Sequence, residues 1–161
     1  MKTLIAYASQ YGYGAECAEN LLAFTTGEVT LVDLTRQTPP KLEEFDTVIV
    51  GGSVYMGKAM KQATDFCTAN ETALLQKKLG LFLCCGLPQN AEQSYAASFS
   101  EALRKHAAAF GCFGGELRTS RMKPMHRMIA NMMQKSGGKS GIEPPKPNMQ
   151  AVEEFAKAML T

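Results

Sequence analysis

A short polar segment near the start of the chain combines hydroxyl side chains with glycines, residue types suited to binding a phosphate group. Hydroxyls donate hydrogen bonds, glycines leave backbone N–H groups accessible, and the start of a following helix favours negative charge. The segment contains no Lys or Arg, so neutral donors would hold the phosphate. A plain glycine-rich turn is the alternative. The candidate contacts are Ser9, Gln10, Tyr11, Gly12, Tyr13 and Gly14.

Other nucleotide-binding patterns do not fit this segment. A dinucleotide fingerprint needs GxGxxG, but residues 12–17 carry Cys at the third glycine position. A Walker loop, GxxxxGK[ST], is not found in the sequence. A receiver domain needs acidic residues at the ends of the first and third strands, where this chain has Ala8-Ser9 and Gly52-Ser53.

The elements around these turns alternate between strand and helix. Apolar runs predict five strands at residues 3–8, 29–34, 47–52, 79–85 and 112–118. Helical spacing predicts helices at residues 15–24, 59–71, 92–110 and 152–160. Such alternation favours parallel pairing through right-handed crossovers, and hence a doubly wound three-layer sandwich. Turns at residues 9–14, 53–58 and 86–90 should then meet at the carboxyl edge of the sheet.

An unusual segment of about residues 120–147 separates the last predicted strand from the last helix. Met125, Met128, Ile129, Met132 and Met133 form one apolar helical stripe. Residues 119–148 carry a net charge of +5 and the remainder −3. A basic helix with a soft apolar face suits a membrane surface or a flat hydrophobic ligand. The alternative is that the stripe packs on the domain and the charges are solvated.

Composition indicates one soluble domain over residues 1–161 with that insert. The odd count of five cysteines and the lack of a signal peptide predict a cytoplasmic location, with the cysteines acting as small apolar fillers. No metal ligand set and no nucleic-acid motif is present. His126 is expected at the surface rather than as a catalytic base.

Residues 6–14, Ala-Tyr-Ala-Ser-Gln-Tyr-Gly-Tyr-Gly, resemble the FMN-phosphate loop of flavodoxins, patterned [ST]-x-[TY]-G-x-[ST]. Gly14 stands where the family has the last hydroxyl. Residues 48–53 followed by Gly57 are similar to the family's second flavin loop. The resemblance implies strand order 2-1-3-4-5, bound FMN and an aromatic, here Tyr55, stacked on the flavin. The further contacts it implies are Ser53, Val54, Met56, Gly57, Cys85, Gly86, Leu87 and Asn90.

Residues 127–138, a basic Met-rich helix ending in Ser-Gly-Gly, resemble the insert of the menaquinone-dependent protoporphyrinogen oxidase branch of flavodoxins. That branch has a basic-aromatic pair in its second loop, whereas this chain has Tyr55-Met56, and the aromatics of the branch's insert are missing. The resemblance implies an FMN oxidoreductase that oxidises protoporphyrinogen IX or a similar hydrophobic donor and passes electrons to quinone. Residues 122–138 would then contact the inner face of the cell membrane.

Two other functions stay open. One is a non-enzymatic flavodoxin that carries electrons between redox partner proteins, although such carriers are commonly acidic. The other is a flavin-binding module without turnover. No protein acid or base is assigned in any of the three, because the flavin supplies the redox chemistry.

Overall fold

The fold, seen in a computed structural model that describes residues 1–115 and 146–160, is centred on one twisted sheet. Five parallel strands lie in the order β2-β1-β3-β5-β6, and β4 pairs antiparallel with the end of β3. The strands are β1 (Lys2–Ala8), β2 (Glu28–Asp33), β3 (Thr47–Tyr55), β4 (Lys58–Ala59), β5 (Lys78–Cys84) and β6 (Ala109–Cys112). With β4 set aside as a hairpin arm, this order confirms the predicted doubly wound parallel sheet.

Helices cover both faces of the sheet. They are α1 (Tyr13–Leu22), α2 (Lys61–Ala69), α3 (Glu71–Leu74), α4 (Ala91–Ser98), α5 (Glu101–His106) and α6 (Met149–Leu160). Successive strand residues point to opposite faces, so β1 divides its side chains between two cores. Leu4 and Ala6 pack in the core with residues of α2 and α5, whereas Ile5 packs with residues of α1 and α6. The result is a three-layer α/β/α sandwich.

The prediction of one long helix over residues 92–110 was wrong. The chain leaves helical geometry at Phe99, with φ −128° and ψ 144°. Ser100 then starts α5, its side-chain oxygen accepting a hydrogen bond of 3.2 Å from the Leu103 N–H. Strand β6 follows from Ala109, because its backbone completes the ladder on β5. The apolar composition of residues 109–112 is compatible with a helix or a strand. The chain forms a strand there because its backbone pairs with the edge of β5.

The predicted turn at residues 53–58 is a β-hairpin. Strand β3 runs on to Tyr55 and pairs back with Lys58. The two residues between them, Met56 and Gly57, have positive φ of 53° and 80°. Positive φ at both central positions is the type I′ geometry whose twist matches two-residue hairpins. The next helix begins at Lys61, and the helical segment predicted to Glu71 is interrupted at Asn70.

The two ends of the predicted insert meet in the fold. Gly114 forms an antiparallel bridge with Pro147, and the Gly115 N–H donates to the Lys146 carbonyl at 3.0 Å. The Met stripe, His126 and the basic residues between positions 121 and 139 lie outside the described residues. In the described part of the chain, no helix is long and apolar enough to cross a bilayer.

Candidate functional site

The three predicted turn segments lie side by side at the carboxyl edge of the sheet. In the strand register, Ala8 at the end of β1 pairs with Gly52 of β3. Ser53 of β3 pairs in turn with Cys84 at the end of β5. The segments that follow β1, β3 and β5 therefore start from neighbouring positions. This is the edge at which doubly wound sheets bind their ligands.

The first segment forms a tight turn into a helix whose N-terminus has no side-chain cap. The Gly12 N–H donates to the Ser9 Oγ at 3.1 Å, and Gly12 has a left-handed φ of 98° that glycine adopts without strain. Helix α1 starts at the next residue, and no side chain caps it. By helix geometry, the first-turn N–H groups of Gly14 and Ala15 have no partner within the helix. The turn can therefore present backbone donors and a helix dipole to an anion.

Gly14 brings the first and second segments into contact. A Cβ added at this glycine would lie 3.2 Å from the Ser53 Oγ and 3.2 Å from the Ser9 Oγ. The hydroxyls of Ser9 and Ser53 thus flank one small cradle with Gly14 at its floor. The family pattern has a hydroxyl residue at this position, and here two serine hydroxyls from neighbouring segments already reach it.

The two tyrosines of the first segment differ in their placement. Tyr13 is buried, and its hydroxyl donates to the Phe113 carbonyl at 2.6 Å. Burial raises the pKa of Tyr13, so this phenol stays protonated and fixes the start of α1 to the chain after β6. Tyr11 is half-buried. Of the two, Tyr13 has a side chain that serves packing rather than ligand binding.

A groove of about 470 Å³ opens beside the cradle. Gln10 of the first segment and Tyr55 of the hairpin line it, joined by residues that the sequence analysis did not select. Tyr55 is 48% exposed there, and Met56 at the hairpin tip is 88% exposed. The remaining lining residues are Lys58, Ala59, Met60, Lys61, Gln62, Thr64 and Asp65.

Part of this lining could have been predicted from the spacing of polar residues in the sequence. Lys61, Thr64 and Asp65 share one face of α2 by their i, i+3 and i+4 spacing, and Lys61 pairs with Asp65 at 2.6 Å. The hairpin arm itself is held by a buried serine, because the Ser98 Oγ accepts the Ala59 N–H at 2.8 Å. No local pattern marks Ser98, since its partner is distant in sequence.

The third segment lies beside the second but does not line this groove. Cys85 is buried, and its thiol lies 3.3 Å from the Leu87 carbonyl. Gly86 and Leu87 are half-buried, whereas Asn90 is exposed just before α4. Val54 and Gly57 belong to the hairpin on the other side. Within residues 1–115 and 146–160, no group of acidic, Cys or His side chains could hold a metal ion.

A parallel sheet in the order β2-β1-β3-β5-β6 with helices on both faces is the arrangement of the flavodoxin-like class of folds. The sequence matches the family described as "Flavodoxin domain" over residues 4–142. The chain therefore belongs to the flavodoxin domain family. No curated protein matches the chain.

Solved structures show the same fold at low sequence identity. A flavodoxin from Streptococcus pneumoniae TIGR4 is 15% identical with a TM-score of 0.57, covering 99% of this chain and 97% of its own. Oxidised flavodoxin 1 from Bacillus cereus is 22% identical with a TM-score of 0.52, over 66% of this chain and 77% of its own. A Lactobacillus acidophilus flavoprotein in complex with FMN is 12% identical, with a TM-score of 0.53, over 68% of this chain and 91% of its own.

Proposed function

We propose that the protein binds FMN at the carboxyl edge of its sheet and works in electron transfer. The observation that carries this proposal is the cradle at Gly14, where two serine hydroxyls and an uncapped helix start converge. A phosphate monoester fits such a set of neutral donors. Membership of the flavodoxin domain family supports the same cofactor, as does the FMN bound to the structurally similar Lactobacillus acidophilus flavoprotein.

Different residues of the chain would bind the phosphate and the flavin ring of FMN. Ser9 would hold the phosphate by its hydroxyl and Gly14 by its backbone N–H group, and the Gly12 N–H, which donates to the Ser9 Oγ, would orient that hydroxyl. Tyr55 would pack against the flavin ring, since an exposed amphipathic aromatic beside a groove suits stacking. Gln10 would contact the cofactor from the first segment, and the segment 85–90 would bound the site beyond Ser53. When bound, FMN supplies the redox chemistry, and the protein binds and orients it.

The experiment is a titration of the purified protein with FMN, followed by flavin fluorescence and visible absorbance. Tyr55→Ala should raise the FMN Kd about tenfold, because a stacked aromatic contributes about 0.5–1.5 kcal/mol beyond its area. Gly14→Ala should raise the Kd by at least as much, because its Cβ would fall 3.2 Å from both serine hydroxyls. Since alanine favours a helix over glycine, this change should leave the fold intact.

The matched control is Phe24→Ala, which removes another partly exposed aromatic at the opposite end of α1. Its FMN affinity should equal that of the parent chain. Circular dichroism checks that each variant is folded. No FMN uptake by the parent chain at micromolar excess would falsify the proposal, and equal losses in all three variants would show that the site lies elsewhere.

We further propose a narrower role, oxidation of protoporphyrinogen or a similar hydrophobic donor with transfer to quinone. The basic, Met-rich sequence of residues 127–138 supports it, as does the net charge of +5 over residues 119–148. The same segment supports peripheral contact with an anionic membrane. The alternative remains a carrier between redox proteins. Quinone-dependent oxidation of protoporphyrinogen by the FMN-loaded protein separates the two, because a carrier would turn over neither compound.

A further inference from the structure

The hairpin that carries Tyr55 projects beyond the parallel sheet. Ser53 is the last residue of β3 in register with β5, and the following residues, Val54 and Tyr55, pair with β4. Val54 and its partner Ala59 pack against the core. Successive strand residues point to opposite faces, so the Tyr55 side chain points away from that core. The position of the Tyr55 ring therefore depends on how the hairpin is attached to the rest of the domain.

One backbone N–H of the hairpin points away from β3. The Met60 N–H donates to the Ser53 carbonyl at 3.0 Å, which makes these two residues a hydrogen-bonded pair of the ladder. Hydrogen-bonded and non-hydrogen-bonded pairs alternate in antiparallel strands, so the adjacent pair of Val54 and Ala59 exchanges no backbone hydrogen bond. The Ala59 N–H is therefore directed outward. Because Ala59 is only 4% exposed, this N–H needs an acceptor outside the hairpin.

Ser98, the last residue of α4, supplies that acceptor. Its Oγ accepts the Ala59 N–H at 2.8 Å and donates to the Ser94 carbonyl, one helical turn earlier, at 2.6 Å. Because a carbonyl can only accept, the hydroxyl proton points to Ser94 and a lone pair of the oxygen is directed to the hairpin. Ser94 and Ser98 are both buried, so solvent has little access to these two hydrogen bonds.

We propose that Ser98 is a positioning residue for the cofactor, which holds the Ala59 N–H and so fixes the hairpin with the Tyr55 ring in place before FMN binds. The inference rests on the proposed function, since that function assigns Tyr55 to the flavin ring. Ser98 acts through the hairpin backbone and not by contact with the cofactor. Without its hydroxyl, the ring would have to be ordered as FMN binds, which weakens binding.

The first experiment measures amide hydrogen exchange by NMR in the full chain without FMN. The Ala59 N–H should be protected in the parent chain and should exchange about tenfold faster in Ser98→Ala, where this buried donor has lost its acceptor. The matched control is Ser100→Ala. It removes another serine acceptor two residues away, which holds the Leu103 N–H at 3.2 Å, and should leave the exchange of Ala59 unchanged.

The second experiment is a double-mutant cycle of FMN titrations, which tests whether Ser98 acts through Tyr55. Ser98→Ala should raise the FMN Kd about threefold to tenfold in the parent chain. In Tyr55→Ala, where no ring remains to be positioned, the same change should alter the Kd less than about twofold. Ser100→Ala should leave the Kd unchanged in both backgrounds.

The fluorescence of the FMN-saturated proteins separates positioning from a general loss of stability. A tyrosine ring in contact with a flavin quenches flavin fluorescence by electron transfer. Saturated Ser98→Ala should therefore be brighter than the saturated parent, and saturated Ser100→Ala should equal the parent. Ser98→Cys keeps a weak acceptor of similar size and should show smaller changes in the same direction. Circular dichroism checks that each variant is folded.

The results distinguish this inference from the proposed function. An Ala59 exchange rate, a Kd and a fluorescence that are all unchanged in Ser98→Ala would overturn the inference and leave the FMN site standing. So would an equal loss of affinity with and without the Tyr55 ring. Failure of the parent chain to take up FMN would overturn both.

Discussion

Among residues 1–115 and 146–160, Met56 is the non-glycine residue with a positive φ. Its φ of 53° is left-handed, which glycine and asparagine adopt far more readily than methionine. The side chain is 88% exposed and so contributes little packing. Met56→Gly or Met56→Asn should therefore raise the free energy of unfolding by about 0.5–1 kcal/mol. Urea denaturation of the parent and variants measures the change.

A substitution at Gly57, in the same turn, should have the opposite effect on the free energy of unfolding. Its φ is 80°, and no heavy atom lies within 4 Å of an added Cβ, so Gly57→Ala tests backbone strain without a steric clash. It should lower the free energy of unfolding by about 1 kcal/mol. Stabilisation by Gly57→Ala, or destabilisation by Met56→Gly, would show that the hairpin is not type I′.

At the scale of elements, α6 and α1 cover the same face of the sheet. Phe155 of this helix contacts Phe82 and Phe113, with ring centroids 6.3 and 5.4 Å apart. Gly80 of β5 leaves room for it, since an added Cβ would lie 2.8 Å from the Phe155 ring. The helix therefore packs on the sheet through this aromatic cluster together with buried aliphatic side chains, among them Val152 and Met159.

Removing the Phe155 ring should cost a large part of the total stability. Phe155→Ala should lower the free energy of unfolding by about 3–5 kcal/mol, because it leaves a cavity beside two rings. Small domains are stable by about 5–15 kcal/mol in all. Urea denaturation followed by circular dichroism measures the loss. Met149→Ala, an exposed change on the same helix, is the control and should stay within about 0.5 kcal/mol.

The elements that sequence predicts well here are those whose pattern has one interpretation. The apolar run that starts β3 has the length of a strand and lacks the spacing of an amphipathic helix. The structure confirms the strand predicted there. Residues 92–110 are rich in alanine, which is compatible with helix throughout, but the helix is interrupted at Phe99 and ends before β6 pairs with β5. The hairpin at Met56 was missed because its first turn residue is not one that type I′ turns favour.

In the candidate site, too, local features could be predicted from the sequence and contacts between distant residues could not. Residue types identified the segment 9–14, because hydroxyls, glycines and a helix start are local features. They did not show that Tyr13 is directed into the core toward Phe113, a partner distant in sequence.

For the whole molecule, the central question is how the segment between Gly115 and Lys146 relates to the rest of the domain. The backbone closes across its two ends, where the Gly115 N–H donates to the Lys146 carbonyl at 3.0 Å and the Asn148 N–H to the Phe113 carbonyl at 3.0 Å. These two hydrogen bonds therefore join the chain on either side of the segment. Replacing residues 118–143 with a short Gly-Ser linker should accordingly leave a folded sandwich.

The FMN affinity of this deletion variant should match that of the parent, because the cradle and groove are built from residues 9–65. The free energy of unfolding should be unchanged or rise by about 1 kcal/mol, since the entropy of closing a connection changes by only about 0.6 kcal/mol for each doubling of its length. Cosedimentation with vesicles of anionic lipid, and quinone-dependent oxidation of protoporphyrinogen, should both be lost, with zwitterionic vesicles as the control. A variant that keeps FMN, vesicle binding and turnover alike would show that the basic segment has no part in either proposed contact, because its charges and Met stripe are then dispensable.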